Sequence, residues 1–423
     1  MKFSRLLLFS LLLSAAALPS LAQRFARGAD ISWSTEMLAD GKKFYDSDGK
    51  ETDINALMRA CGMNAIRLRV WVEPTLGGWC GTDDVVAKAV AARGAGMDVL
   101  IDFHYSDFFA DPSRQSIPAA WTGKNLTELA SLVREHTTEV LTALRTAGVE
   151  PRWVQVGNET RSGMLYSQYN AAAHNWSDAQ NMATGCTLAQ KGGSWANFAT
   201  LSNAGYDAAK AVFPNVCCIS HLDTQQGEAD LNWWFDAFRQ AGGKCDMIGL
   251  SHYPMGWNAM GEGQATTDAL ARNAALMGLA RRLYDAYALP IMIVETGVYC
   301  EYVDGGKEVM SDLFSQCRQT NFINGIFYWE PEQYNWWKPA VYQTIGWGNY
   351  NMCAFLHDGR PSAILDAFQP APSDADGIRS AELDAQPTPR SYDLAGRNAT
   401  PQTKGIIVRA GKKIWQSAPR RCL

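Results

Sequence analysis

The chain has 423 residues, a net charge of −5 and an apolar fraction of 47%. That size and apolar share suit one large domain with a small appendage, and the mild acidity gives no electrostatic footprint for nucleic acid. After residue 22 no stretch is long and apolar enough for a membrane helix, which argues against an integral membrane protein.

Lys2 and Arg5, an apolar run over 6–18 and the small residues around Ala22 read as an export signal, residues 1–22. A secreted, surface or periplasmic protein follows. Eight β-branched or apolar runs then read as strands: 27–32, 65–70, 98–104, 153–158, 216–221, 247–251, 290–295 and 325–329. Stretches with helical spacing separate them: 53–61, 85–95, 126–147, 196–212, 231–241, 268–288 and 306–320. Strict β/α alternation over residues 23–368 predicts a (β/α)8 TIM barrel. A doubly wound sheet is the alternative, but no GxGxxG follows the first strand. The connections 71–84, 105–125, 160–195 and 331–351 are long and rich in Gly, Pro, Trp and Tyr. Loops of that length after strand ends would wall a cleft. Residues 369–388 read as a Pro/Ala/Asp/Ser-rich linker, and 389–423 as a small β module or a solvated tail.

All ten cysteines follow the signal, an even number that permits disulfides, and no CxxC pair suggests zinc. Adjacent Cys217 and Cys218 would face opposite sides of a strand, at least one as a buried thiol. Asp46-Ser-Asp-Gly resembles the start of a calcium loop but lacks its closing glutamate, so a turn ahead of a helix capped by Asp53 fits better. Asn125-Leu-Thr, Asn175-Trp-Ser and Asn398-Ala-Thr match glycosylation acceptors, as does Asn158-Glu-Thr, which shows how freely that pattern arises. There is no GxSxG elbow for a serine hydrolase.

Catalytic groups of such barrels sit where the strands end. The second strand carries Arg67 and Arg69, on one face with Trp71. Further strand ends deliver His104 and Asp107, Asn158 and Glu159, His221 and Asp223, His252 and Tyr253, Glu295, and Trp329 with Glu330. So many polar groups at one end of an apolar barrel would be costly without a purpose. Two glutamates, Glu159 and Glu295, suit hydrolysis of a glycosidic bond, one neutral as acid/base and one ionised as nucleophile. Asn158 would lie beside Glu159 and bond a sugar hydroxyl. Arg69, with a hydrogen bond from Tyr253 or His252, would hold Glu295 ionised. Trp329 would floor the subsite of the reacting sugar.

The segments RLRVWVEP, DFHYSDFFADPSRQSIPAAW, VQVGNE, GLSHYP, VETG and GIFYWEP run in order from about residue 28 to 368 and resemble glycoside hydrolase family 53, the arabinogalactan endo-β-1,4-galactanases. The resemblance implies a retaining (β/α)8 enzyme that cleaves β-1,4-galactan side chains of pectin. It implies Glu159 as acid/base, Glu295 as nucleophile, and a cleft lined by Trp71, His104, Asp107 and Trp329. No organic cofactor is implied. Some members bind structural calcium in the loop after the eighth strand, but their Asp/His/Asn motif is not found in 331–351. Residues 160–195 carry an insertion-like stretch that would reshape one rim of the cleft. Another retaining β-glycanase, such as a mannanase or glucanase, or a non-catalytic carbohydrate-binding barrel are the alternatives. A monomer is expected.

Overall fold

The computed structural model describes residues 24–74, 77–170, 175–178, 184–224, 230–255, 261–339, 342, 351–371, 391–393, 405–409 and 412–416. The expected export signal and most of the expected linker lie outside the described residues. Eight strands form the barrel: β1 (Ala26–Asp30), β2 (Ala65–Val70), β3 (Asp98–Phe103), β4 (Trp153–Val156), β5 (Cys217–Asp223), β6 (Met247–His252), β7 (Ile291–Thr296) and β8 (Ile323–Trp329). Each pairs in parallel with its neighbours and β1 closes on β8, so the doubly wound alternative is excluded. The expected strands are all present, with ends displaced by a few residues. β4 stops at Val156, short of residue 158, because Gly157 (φ 83°) and Glu159 (φ 46°) leave the extended region.

Period-two alternation sorts each strand into an outer face under the helices and an inner face. Ala26, Ala65, Leu100, Trp153, Ile219, Met247, Met292, Val294 and Phe327 fill the lower barrel as one apolar cluster. Two large rings fit there because their neighbours are small: a Cβ on Gly28 would sit 2.2 Å from the Phe327 ring. Higher up, the same inward register turns polar: Asp30, Arg67, Asp102, Gln155, His221 and Ser251 follow the apolar layer on their strands, all buried. β7 breaks the rule to do likewise. Met292 and Val294 face inward, so strict alternation would send Glu295 outward. The register slips there, with Leu250 opposite Ile293 and Ser251 opposite Glu295. This bulge brings Glu295 to the inner side.

The expected helices form as Ile54–Ala60, Thr82–Gly94, Leu126–Thr146, Trp195–Val212, Asn232–Gln240, Glu262–Tyr287 and Val303–Arg318, with an unexpected short helix Ser34–Ala39. Asp53 caps the first of these by accepting from Asn55 N and Ala56 N, and Asp46 closes the turn before it. Asn125 and Glu128 form a capping box that starts the 21-residue helix. Cys218 is buried in the outer core, while Cys217 is partly buried on the inner side, where burial pushes its thiol up to about 12. Cys61, Cys80, Cys245, Cys300 and Cys353 are also thiols; Cys422 lies outside the described residues.

Within 160–195 a hairpin pairs Ser167–Asn170 with Asn175–Asp178. It is tied to the loop after β3, where Ile117 N donates to Ser167 O at 2.8 Å and Gln115 N donates to Ser167 Oγ at 2.9 Å. The chain divides into two compact units, Met1–Gly377 and Ile378–Leu423. In the second, Ser391–Asp393, Gly405–Arg409 and Lys412–Gln416 form an antiparallel sheet.

Candidate active site

Charge at the barrel mouth is organised around Arg67. Its guanidinium is wholly buried and reaches Asp30 at 2.7 Å, Asp102 at 2.8 Å and Glu295 Oε1 at 2.8 Å. It also donates to Asn158 Oδ1 at 2.9 Å. The other oxygen of Glu295 accepts from Tyr253 OH at 3.0 Å. Burial, the strongest influence, pushes the Glu295 carboxyl up to about 7; Arg67 and Tyr253 oppose the rise, while Asp102 and Asp30 add to it.

Two expectations need correction here. Arg69 does not hold Glu295. It pairs with Glu330 and lies within a cage of rings, 4.6 Å from Phe109, 5.6 Å from Trp71, 5.8 Å from Trp33 and 5.9 Å from Trp329. His252 does not reach Glu295 either. Its Nε2 lies 2.9 Å from Asn273 Oδ1 on the helix Glu262–Tyr287, and burial lowers it to about 4. Tyr253 alone of that pair makes the bond.

Glu159 follows β4 in a left-handed conformation, an uncommon state for a residue with a side chain. Gln115 steadies this turn by donating to Asn158 O at 2.8 Å. Glu159 Oε1 accepts from Ser251 Oγ at 2.6 Å. Burial raises its carboxyl well above the ordinary value; Glu295, then Asp223 and Asp111, push it further, and the Ser251 bond opposes. The two glutamates therefore differ in kind. Glu295 has a buried cation and a phenol to stabilise its charge; Glu159 has neighbouring negative charge. When one proton is shared between them, Glu159 holds it.

The remaining expected residues lie around this centre. Asn158 is oriented by Arg67 and by its own Nδ2, which donates to Ala110 O at 2.8 Å. His104 is fixed at both ring nitrogens, by Asp102 Oδ2 at 2.9 Å and by Ala110 N at 2.9 Å. Asp107 accepts from Glu73 N and Ala119 N, bracing two loops. Trp71 is buried against Phe108 and Phe109. Trp329, partly exposed, meets Trp33 edge-on at 5.1 Å. Asp223 pairs with Arg161 at 3.1 Å, and Glu330 also accepts from Trp33 N at 3.0 Å. Sequence reasoning missed Asp30, Asp102, Gln155 and Ser251. The available signal was a polar residue on the inward register of an otherwise apolar strand. Among the described residues no cluster of three or more His, Cys, Asp or Glu is placed to hold a metal; much of 331–351 lies outside them.

A closed parallel barrel with two unlike carboxyls at its strand ends is the arrangement of a barrel glycoside hydrolase. Comparison with known proteins fixes the family. Residues 26–368 match the model of glycosyl hydrolase family 53, and the chain belongs to that family. It is 30% identical to an arabinogalactan endo-β-1,4-galactanase of Thermothelomyces thermophilus, covering 81% of this chain and 98% of the relative. The same identity holds with one from Cellvibrio japonicus, over 85% and 94%. Among solved structures, fungal β-1,4-galactanases superpose with a TM-score of 0.64 at 25% identity, covering 82% of this chain and 100% of theirs. The family 53 catalytic domain of Ignisphaera aggregans also gives 0.64, at 27% identity, over 84% and 97%. The protein is a glycoside hydrolase.

Proposed function

We propose that the protein is a retaining endo-β-1,4-galactanase acting on the (arabino)galactan side chains of pectin. In this reading Glu295 attacks the anomeric carbon and Glu159 protonates the departing oxygen. Glu159, then ionised, takes a proton from the water that releases the sugar. Asn158 and the ring of Trp329 position the reacting galactose. The observation that carries the assignment of roles is the bonding of Glu295 to both Arg67 and Tyr253, against the negative surroundings of Glu159. The galactanase names of relatives matched over nearly their whole length support the substrate.

The enzyme works as a monomer without organic cofactor, is secreted or delivered to the surface or periplasm by its leader, and carries residues 389–423 as a small β module or tail behind a linker. No helix among the described residues is long and apolar enough to cross a membrane. The test of substrate is release of reducing ends from purified galactan, mannan and carboxymethyl-cellulose. Galactan alone should yield products; preferential cleavage of either other polymer would instead identify a mannanase or glucanase.

A further inference from the structure

We propose that His221 and Ser251 form a one-way hydrogen-bond relay that confines the acidic proton of Glu159 to its Oε2 oxygen, making both of them positioning residues for proton delivery. The proposal rests on Glu159 being the acid/base. Three contacts set the direction. First, two donors converge on His221 Nδ1: the backbone N–H of Glu159 at 3.3 Å and the Gln155 side-chain amide at 3.0 Å. A backbone N–H cannot turn round, so Nδ1 is the bare nitrogen. Asn158 Oδ1, also 3.0 Å from Nδ1, has donors for both its lone pairs in Arg67 at 2.9 Å and the Gln155 amide at 3.1 Å.

Second, His221 is neutral. It is fully buried, and Arg67 and His104 add to the burial that lowers its affinity for a second proton. Its single hydrogen is therefore on Nε2, 2.7 Å from Ser251 Oγ. Third, with that lone pair taken, the Ser251 hydroxyl hydrogen turns to Glu159 Oε1 at 2.6 Å. Oε1 is thus always an acceptor, and the exchangeable proton has only Oε2 to occupy. Without the relay the proton would divide between two oxygens, of which one faces the serine rather than the substrate. The same bond stabilises the carboxylate left after proton transfer.

The groups facing Glu159 are Glu295 from β7, Asp223 and His221 from β5, Asp111 from the loop after β3, and Ser251 from β6, with Arg67 behind Glu295 and Arg161 on Asp223. Of these, Ser251 is the neutral donor that can be removed without altering charge. Ser251→Ala is expected to lower kcat on galactan about tenfold, a fraction of the full worth of general acid catalysis. It should also move the basic limb of the kcat/KM profile to higher pH. The kcat/KM of a dinitrophenyl β-1,4-galactobioside, which reports glycosylation alone and whose leaving group needs no proton, should change less than about twofold, against a loss of about tenfold in kcat/KM on galactan. Ser251→Thr, which keeps the hydroxyl, should recover most of the loss.

An unshifted basic limb, or equal losses on both substrates, would overturn the relay. If Ser251→Ala does not fold by thermal melting, Ser251→Cys, a near-isosteric weak donor, takes the same test with the same expected directions. Glu159→Gln separates this proposal from the one beneath it: wild-type galactan turnover in that variant removes the acid/base assignment itself. An inactive Glu159→Gln beside an unshifted Ser251→Ala removes the relay alone.

Discussion

Arg67 is a single buried cation facing three carboxylates, Asp30, Asp102 and Glu295. Removing it takes away the cation those three charges share, leaving Glu295 its bond from Tyr253 and Asp30 only the more distant cation Arg69, and breaking a buried pair costs about 3–5 kcal/mol. Arg67→Met is therefore expected to lose galactan cleavage and to lower the thermal midpoint sharply, measured by calorimetry beside turnover. The sequence placed Arg67 and Arg69 on one face but could not say which would reach Glu295. The difference lies in depth: Arg69, two residues further up, finds Glu330 and four aromatic rings instead. A separate titration belongs to Glu36, whose carboxyl burial raises to about 7, with Arg69 opposing. The folded state binds that proton more tightly than the unfolded one. Its contribution to stability is complete below about 4.5 and fades as pH rises to about 7. Glu36→Gln should raise the melting temperature at pH 8 and leave it unchanged at pH 4; the opposite order would refute the sign.

Strands were the most legible elements, because continuous apolar runs of the right length are what a doubly covered parallel sheet requires. All eight appeared where expected, and Glu159 and Glu295 were recognisable as carboxylates ending two of them. Hidden from periodicity were the departures from it. The β7 bulge that turns Glu295 inward depends on pairing with β6, which no single run of residues reveals. The hairpin within 160–195 was legible only as an insertion, since its pairing and its tie to Gln115 are tertiary. Small residues matter in the barrel as space. With only 2.2 Å between a Cβ on Gly28 and the Phe327 ring, Gly28→Ala should overpack the lower layer and cost about 1–3 kcal/mol in chemical denaturation. Gln115→Ala would leave Asn158 O without its donor, a loss of about 1–3 kcal/mol at the turn that presents Glu159. A fall in galactan turnover at unchanged KM is the expected readout.

At the scale of the whole chain the barrel is self-contained: the family match spans 26–368, and the second compact unit begins at Ile378. A chain shortened to residues 24–371 is expected to unfold cooperatively and to keep the galactan turnover of the full protein. The barrel sets one carboxylate, Glu295, against a cation and a phenol, and the other, Glu159, among negative charges, and the proposed roles follow from that division. The most direct test of that division is mass spectrometry of the enzyme after reaction with a 2-deoxy-2-fluoro aryl β-galactobioside, which slows release of a covalent intermediate. A galactosyl ester on the peptide containing Glu295 is predicted; an ester on Glu159, or turnover with inversion and no adduct, would contradict it.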